Sequence, residues 1–317
     1  MRIISLLASA TEIIAELGCL EQMVGRSHEC DYPPEILHLP IISTTQININ
    51  TSSEQIDAQI KQLVQQKEVV RGDALKALSI YALDVDLLQQ LQPDIIFTQT
   101  QCEVCAVSER DVMQAIQYLT GLQPRVVSLT PYQLSDVWED VLRVGKALDR
   151  TEQAQELVRR YQQRLEHLQA ITTNLRKSNP RPRVTLLEWL DPLMATGNWT
   201  PELIAYAGGE NIFGEIGQHA PWVTWEELQV ADPEILVLAP CGFTLERTLQ
   251  EIHVLKQHPM WKTLQAVQQG RVYAIDGNSY INRSGPRLVE SAEILTRVIW
   301  GEETGINVPS DSWQPIM

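Results

Sequence analysis

At 317 residues the chain is long enough for about two domains, each burying its own core. Its 25 basic against 40 acidic residues leave a net charge of −15, which excludes a cationic face for nucleic acid or for an anionic membrane, since both need clustered Lys and Arg. The opening residues MRIISLL carry no basic stretch leading into a long apolar one, and no run of about 18 apolar residues follows anywhere, so the expectation is a cytoplasmic protein with no membrane insertion.

In chain order, RIISLL (2–7) reads as a strand, and SATE (9–12) as a capping box opening a helix that ends at Gly18, where a left-handed residue belongs. QMVG (22–25) is strand-like and runs into the polar loop HECDYPP (28–34). TSSE (51–54) fits a second capping box, before an amphipathic helix through Ile56, Ile60 and Leu63. DVDLLQQLQPDIIF (84–97) is a helix followed by a buried strand, and QTQCEVCAVSERD (99–111) is the loop beyond it. RVVSLTP (125–131) closes this half with another strand and loop. Residues 151–177 place apolar side chains at 154, 157, 158, 161, 165, 168, 171 and 175, the spacing of one helix face, and NPRP (179–182) ends that helix. Strand RVTLLEW (183–189) opens a second half that continues through PELIAYAG, TWEELQVADPEILV and RVYAIDG.

The second half repeats the first. TEIIAELG (11–18) precedes PELIAYAG (201–208) by 190 positions, and DVDLLQQLQPDIIF precedes TWEELQVADPEILV (224–237) by 140. Short β-branched runs alternating with helical patterns imply parallel sheets buried on both faces. The expected fold is therefore α/β: two related doubly wound lobes joined by one long backbone helix, with a ligand cleft between them. The boundaries are 1–149 for the N-terminal lobe with an insertion near 43–80, 150–178 for the linking helix, and 179–317 for the C-terminal lobe.

Ligands of open α/β sheets sit beyond the carboxyl ends of the strands. That rule puts HECDYPP and QCEVC on one edge, and EWLDPLMATGNWT (188–200), HAPW (219–222), CGF (241–243) and GNSYINRSG (277–285) on the corresponding edge of the second lobe. The ligand-binding candidates are His28, Glu29, Tyr32, Gln101, Trp189, Asn198, Trp199, Trp222, Cys241 and Tyr280. Their aromatics suit stacking on a flat, largely apolar ring; ordinary core packing is the competing account.

Five cysteines (19, 30, 102, 105, 241) in a reducing compartment favour free thiols, metal ligands or redox partners over a disulfide framework. His28, Cys30, Cys102 and Cys105 would make a soft N/S set for Zn²⁺ or a related metal. Two other readings stand beside it. Cys30 and Cys105 pack as small hydrophobes while His28 and Glu29 brace the loop, or Cys102 and Cys105 form a redox pair ahead of a helix capped by Ser108.

SLLASATEIIAELG, VGRSHECDYPP, the QPDII strand, GGENIF and WVTWEELQVADPEIL together resemble the cobalamin-binding solute receptors of ABC importers, a group that extends to haem, siderophore and metal-ion receptors. The resemblance covers nearly the whole chain; a proline common in the first loop is Ala8 here. It implies a non-enzymatic protein holding a corrinoid or related tetrapyrrole, and an ABC transporter permease as partner, docked by one acidic residue per lobe at Asp86 and Glu226. The alternative is a cytoplasmic metal- or thiol-dependent protein, conceivably an enzyme, built on the same scaffold around His28, Cys30, Cys102 and Cys105.

Overall fold

The computed structural model describes residues 1–45, 47–69, 81–99, 121 and 123–316. They divide into two compact units, Met1–Pro131 with Asp136–Val158, and Tyr132–Ser135 with Arg159–Met317.

In the first unit the strands are β1 (Ile3–Ser5), β2 (Met23–Arg26), β3 (Ser43–Thr45), β4 (Tyr81–Leu83), β5 (Ile95–Gln99) and β6 (Arg125–Leu129). The main sheet runs β2-β1-β5-β6, all parallel, with Ile4 beside Ile96 and Ile96 beside Val126. A parallel sheet needs cover on both faces, which is why these runs are continuously apolar; Ile4, Ile42, Leu88, Ile96 and Val126 form one buried cluster. β3 and β4 pair antiparallel as a separate ribbon, and helix Ser53–Val69 lies between them in sequence.

The second unit holds β7 (Arg183–Leu187), β8 (Trp189–Leu190), β9 (Leu193–Met194), β10 (Glu210–Asn211), β11 (Ile235–Leu238), β12 (Val272–Ile275) and β13 (Trp313–Pro315). Its main sheet is ordered β10-β7-β11-β12-β13, parallel except for the antiparallel β13 edge. Leaving out β13, this is the order of the first sheet, element for element.

The repeat extends to chain reversals. Helix Ala8–Glu16 is followed by Gly18 at φ 69°, and helix Thr200–Tyr206 by Gly208 at φ 79°. Helix Val85–Leu91 is capped by Asp84 and closed by Gln92 at φ 41°; helix Trp225–Ala231 is capped by Thr224 and closed by Asp232, also at φ 41°. Both closing residues adopt the left-handed conformation, and both precede the central strand of their sheet by the same short step.

Two expected capping boxes are not formed as read. The first helix begins at Ala8 with Leu7 in the cap position and no side-chain cap bond, and Ser9 and Glu12 are buried within it. Tertiary packing therefore overrides the SATE signal. In the TSSE segment the capping oxygen belongs to Ser52, whose hydroxyl accepts from Gln55 N–H at 3.3 Å. The long helix spans Thr151–Leu175, about 37 Å at 1.5 Å per residue. It buries Ala154, Leu157, Val158, Tyr161, Leu165 and Leu168, and in its last turns Thr172 is the buried residue while Ile171 is half-exposed.

Candidate functional site

In the first unit β2 leads straight into the 27–33 loop. Buried Arg26 organises it: its guanidinium donates to the carbonyls of Cys30 (2.9 Å), Ser27 (3.3 Å) and Leu37 (3.2 Å). Carbonyls rather than a carboxylate carry this cation. His28 meets Ser43 twice, through its peptide N–H (3.3 Å) and ring Nδ1 (2.8 Å), and Glu29 N–H donates to Ser27 Oγ. Tyr32 is exposed.

Cys30 does not present a ligand. Its sulfur is fully buried, accepts from Thr11 Oγ1 at 3.0 Å and faces the Ser5 carbonyl, and burial pushes its thiol pKa up. A buried thiol held in its protonated form is a poor nucleophile and a poor metal ligand. For this residue the packing reading replaces the expected membership of the metal set. Cys102, Cys105 and Gln101 lie outside the described residues, as does Ser108. Among the described residues no three His, Cys, Asp or Glu side chains converge as a metal site.

The second unit gathers its candidates more tightly. Four segments, 188–200, 214–222, 239–243 and 276–285, meet beyond the carboxyl ends of β7, β11 and β12, and they carry Trp189, Asn198, Trp199, Trp222, Cys241 and Tyr280. The first two segments are zipped by backbone bonds. Ala195 N–H donates to Pro221 O (2.9 Å), Asn198 N–H to Gln218 O (2.7 Å) and Gly217 N–H to Asn198 O (3.1 Å). Glycine permits this contact: a Cβ on Gly214, whose φ is +84°, would lie 1.8 Å from Thr196 O, and one on Gly197 would lie 2.5 Å from Ala220 N.

The other segments are stitched on by side chains. Trp199 Nε1 donates to Ile281 O (2.9 Å), Asn282 Nδ2 to Ala239 O (2.8 Å), and the rings of Trp189 and Phe243 pack with centroids 5.3 Å apart. Residues Gly277–Ile281 form a single π-helical turn, a distortion often found at functional sites. Half-buried Tyr280 lies under the Arg287 guanidinium at 5.5 Å, and burial, with Glu290 nearby, pushes its hydroxyl up to about 12.

The aromatics divide by exposure. Trp189 and Trp199 are more than nine-tenths buried, so they support the platform instead of stacking on a guest. Trp222 is 52% exposed and Ile216 50%. Tyr132 is also exposed, on a short segment anchored by Leu134 N–H to Glu202 Oε2 (2.7 Å), which brings Gln133 alongside Gly217.

Sequence reading missed the hub beneath this platform. Glu188 follows β7 directly. Its peptide N–H donates to Met194 O (2.8 Å) and its carbonyl accepts from Cys241 N–H (2.9 Å). Its carboxyl accepts from Thr196 Oγ1 at 2.5 Å and from the Gly197 N–H and Thr200 hydroxyl. Burial pushes it up to about 7, against these hydrogen bonds and the charge of His219. The available signal was a lone carboxylate inside the apolar run LLEWL.

Asp86 and Glu226 are exposed and occupy the first turns of the repeated helices Val85–Leu91 and Trp225–Ala231, at the same step from their caps.

The sequence profile of the periplasmic binding protein family matches residues 3–278. The chain belongs to that family. Members are substrate-binding proteins. Relatives of this family member include the vitamin B12-binding protein of Vibrio cholerae serotype O1, 23% identical over 294 residues, covering 92% of this chain and 86% of the relative. An uncharacterised ABC transporter substrate-binding lipoprotein of Bacillus subtilis is 22% identical, with 94% and 80% covered. Among solved structures, a periplasmic haem-binding protein of Pseudomonas aeruginosa superposes with a TM-score of 0.69 at 20% identity, over 100% of this chain and 95% of that one. The periplasmic vitamin B12-binding protein of Vibrio cholerae gives 0.63 at 20% identity, over 94% and 96%. These likenesses establish the two-lobed α/β fold expected from the repeat.

Proposed function

We propose that this family member binds a corrinoid or related tetrapyrrole without transforming it, and that the platform of the second unit supplies a stacking surface for the ring. The observation that carries the reading is Trp222. A tryptophan left 52% exposed on the segment 214–222 that also exposes Ile216, and that is tightly hydrogen-bonded to 195–198, is apolar surface that a flat ligand would cover. The B12-binding relatives and haem-binding neighbours support a ligand of this shape. Partnership with an ABC transporter permease through Asp86 and Glu226 belongs to the same proposal, supported by their matched, exposed positions.

Titration of the purified chain with cyanocobalamin and, separately, hemin tests it, with tryptophan fluorescence and ligand absorbance as readouts. Saturable binding of one of them is expected, and Trp222→Ala weakens it by about tenfold, near the 1.4 kcal/mol that a lost aromatic contact represents. Trp199→Ala is expected to act differently, lowering the stability of the fold by about 3–5 kcal/mol as a buried-core truncation. Failure of both ligands to bind overturns the reading.

A further inference from the structure

We infer that His219 is a ligating residue of the platform, its Nε2 binding the metal of a tetrapyrrole that keeps an axial position open to exchange. The inference deepens the ligand reading above and rests on it for the ring. The ligating atom is read from geometry.

His219 is exposed on segment 214–222, between Ile216 and Trp222 in the chain. Its Nδ1 lies 2.8 Å from the Ala220 carbonyl oxygen. A carbonyl only accepts, so in the neutral ring Nδ1 carries the hydrogen and Nε2 keeps its lone pair. Among the described residues Nε2 has no hydrogen-bond partner. An imidazole tied by one nitrogen to a carbonyl is set up as a metal ligand through the other, because that bond fixes tautomer and ring orientation before the metal arrives. The backbone around it is fixed as well. Gln218 O accepts from Asn198 N–H (2.7 Å), Pro221 O from Ala195 N–H (2.9 Å), and Val223 N–H donates to Leu193 O (2.9 Å), while Ala220 is buried.

The ring bond alone does not single out His219. Exposed His38 and His253 also place Nδ1 against a carbonyl, of Glu35 at 2.6 Å and Gln250 at 2.9 Å. Place does single it out. Neither of those two lies on a platform segment, whereas His219 shares its segment with the exposed Trp222. Imidazole suits iron and cobalt, and a metal already chelated by ring nitrogens needs one protein atom to fill an axial position. Two other platform groups could compete. Burial pushes the Tyr280 hydroxyl up to about 12, so it stays a phenol at neutral pH and a poor ligand; the Cys241 thiol is exposed and is left to the test. The step itself is a ligand exchange. The Nε2 lone pair forms the bond to the metal, the axial water leaves, and no electron changes hands.

The test uses the full chain at about pH 8, where a free imidazole is neutral. The probes are hemin and aquacobalamin, whose axial water exchanges; metal-free protoporphyrin IX and cyanocobalamin, whose axial positions are filled, are the controls. Absorbance is read for every ring, and for hemin the resonance Raman spectrum of the reduced complex, in which an iron–imidazole stretch reports the bond. Wild type is expected to bind at least one exchangeable ring with the signature of nitrogen ligation. His219→Ala should weaken that binding by about tenfold or more, erase the signature and leave affinity for whichever control ring binds unchanged, and added imidazole should restore the signature. His253→Ala should behave as wild type. His219→Gln, whose amide can still donate to the Ala220 carbonyl, serves if the alanine variant does not fold. An unchanged signature in the His219 variants overturns the inference, as does an equal loss of affinity for exchangeable and control rings, which marks a packing role. A thiolate signature lost in Cys241→Ser overturns it too. Binding of cyanocobalamin alone, or of any ring without nitrogen ligation, overturns the inference and leaves the ligand reading standing, whereas failure of every ring to bind ends both.

Discussion

Glu188 and Asp140 share a physical situation, one in each unit. Asp140 is buried on helix Leu134–Ala147 and accepts from Thr130 N–H at 3.2 Å and from Arg143; burial still pushes its carboxyl up to about 7. For an acid with a raised native pKa, the folded state binds the proton more tightly than the unfolded chain. The stabilisation is complete below the unfolded value, near 4.5 for Glu188, and is lost as pH rises towards about 7. A gap of that size corresponds to about 3 kcal/mol for Glu188. Glu188→Gln should therefore unfold at a higher urea midpoint than wild type at pH 8, with the advantage shrinking towards pH 5. Urea denaturation at the two pH values checks this, and a variant destabilised equally at both would contradict it. Arg26 is the opposite case, a buried cation spread over three carbonyls, and these bonds brace the turn that begins HECDYPP.

Among elements, glycines separate backbone conformation from close approach. Gly18 and Gly214 both have positive φ, but a Cβ on Gly18 meets nothing within 4 Å while one on Gly214 would lie 1.8 Å from Thr196 O. Gly18→Ala should cost only the backbone term, about 1 kcal/mol. Gly214→Ala should cost more and also separate 194–200 from 214–222, so its ligand affinity falls together with the thermal midpoint. Thermal unfolding and ligand titration of the two variants, side by side, test the distinction. The same elements show where local signals held. Gly18 and the helix-to-strand steps at 84–97 and 224–237 formed as read, because each is satisfied within a few residues. The SATE box did not form, because Ser9 and Glu12 are drawn into the packed interior.

At the scale of the whole molecule, the two sheets repeat one strand order, and the repeated helices carry Asp86 and Glu226 at equivalent positions. Neither residue belongs to the platform loops. The double variant Asp86→Ala with Glu226→Ala should bind ligand as wild type does and fail to stimulate ATP hydrolysis by a cognate permease. Unimpaired stimulation would remove both from the docking surface. The sequence by itself determined the α/β class, the internal repeat, the long helix and the six loop residues on the second sheet's carboxyl edge, because periodicity, turn residues and the strand-end rule are local or topological. Only tertiary structure decided which of those residues face outward, turning Trp199 into a support and Trp222 into a surface, and placing the Cys30 thiol against Thr11. It alone revealed Arg26 and Glu188 as hubs, since the burial of a charge and the partners that satisfy it depend on segments distant in sequence that meet only when the chain is folded.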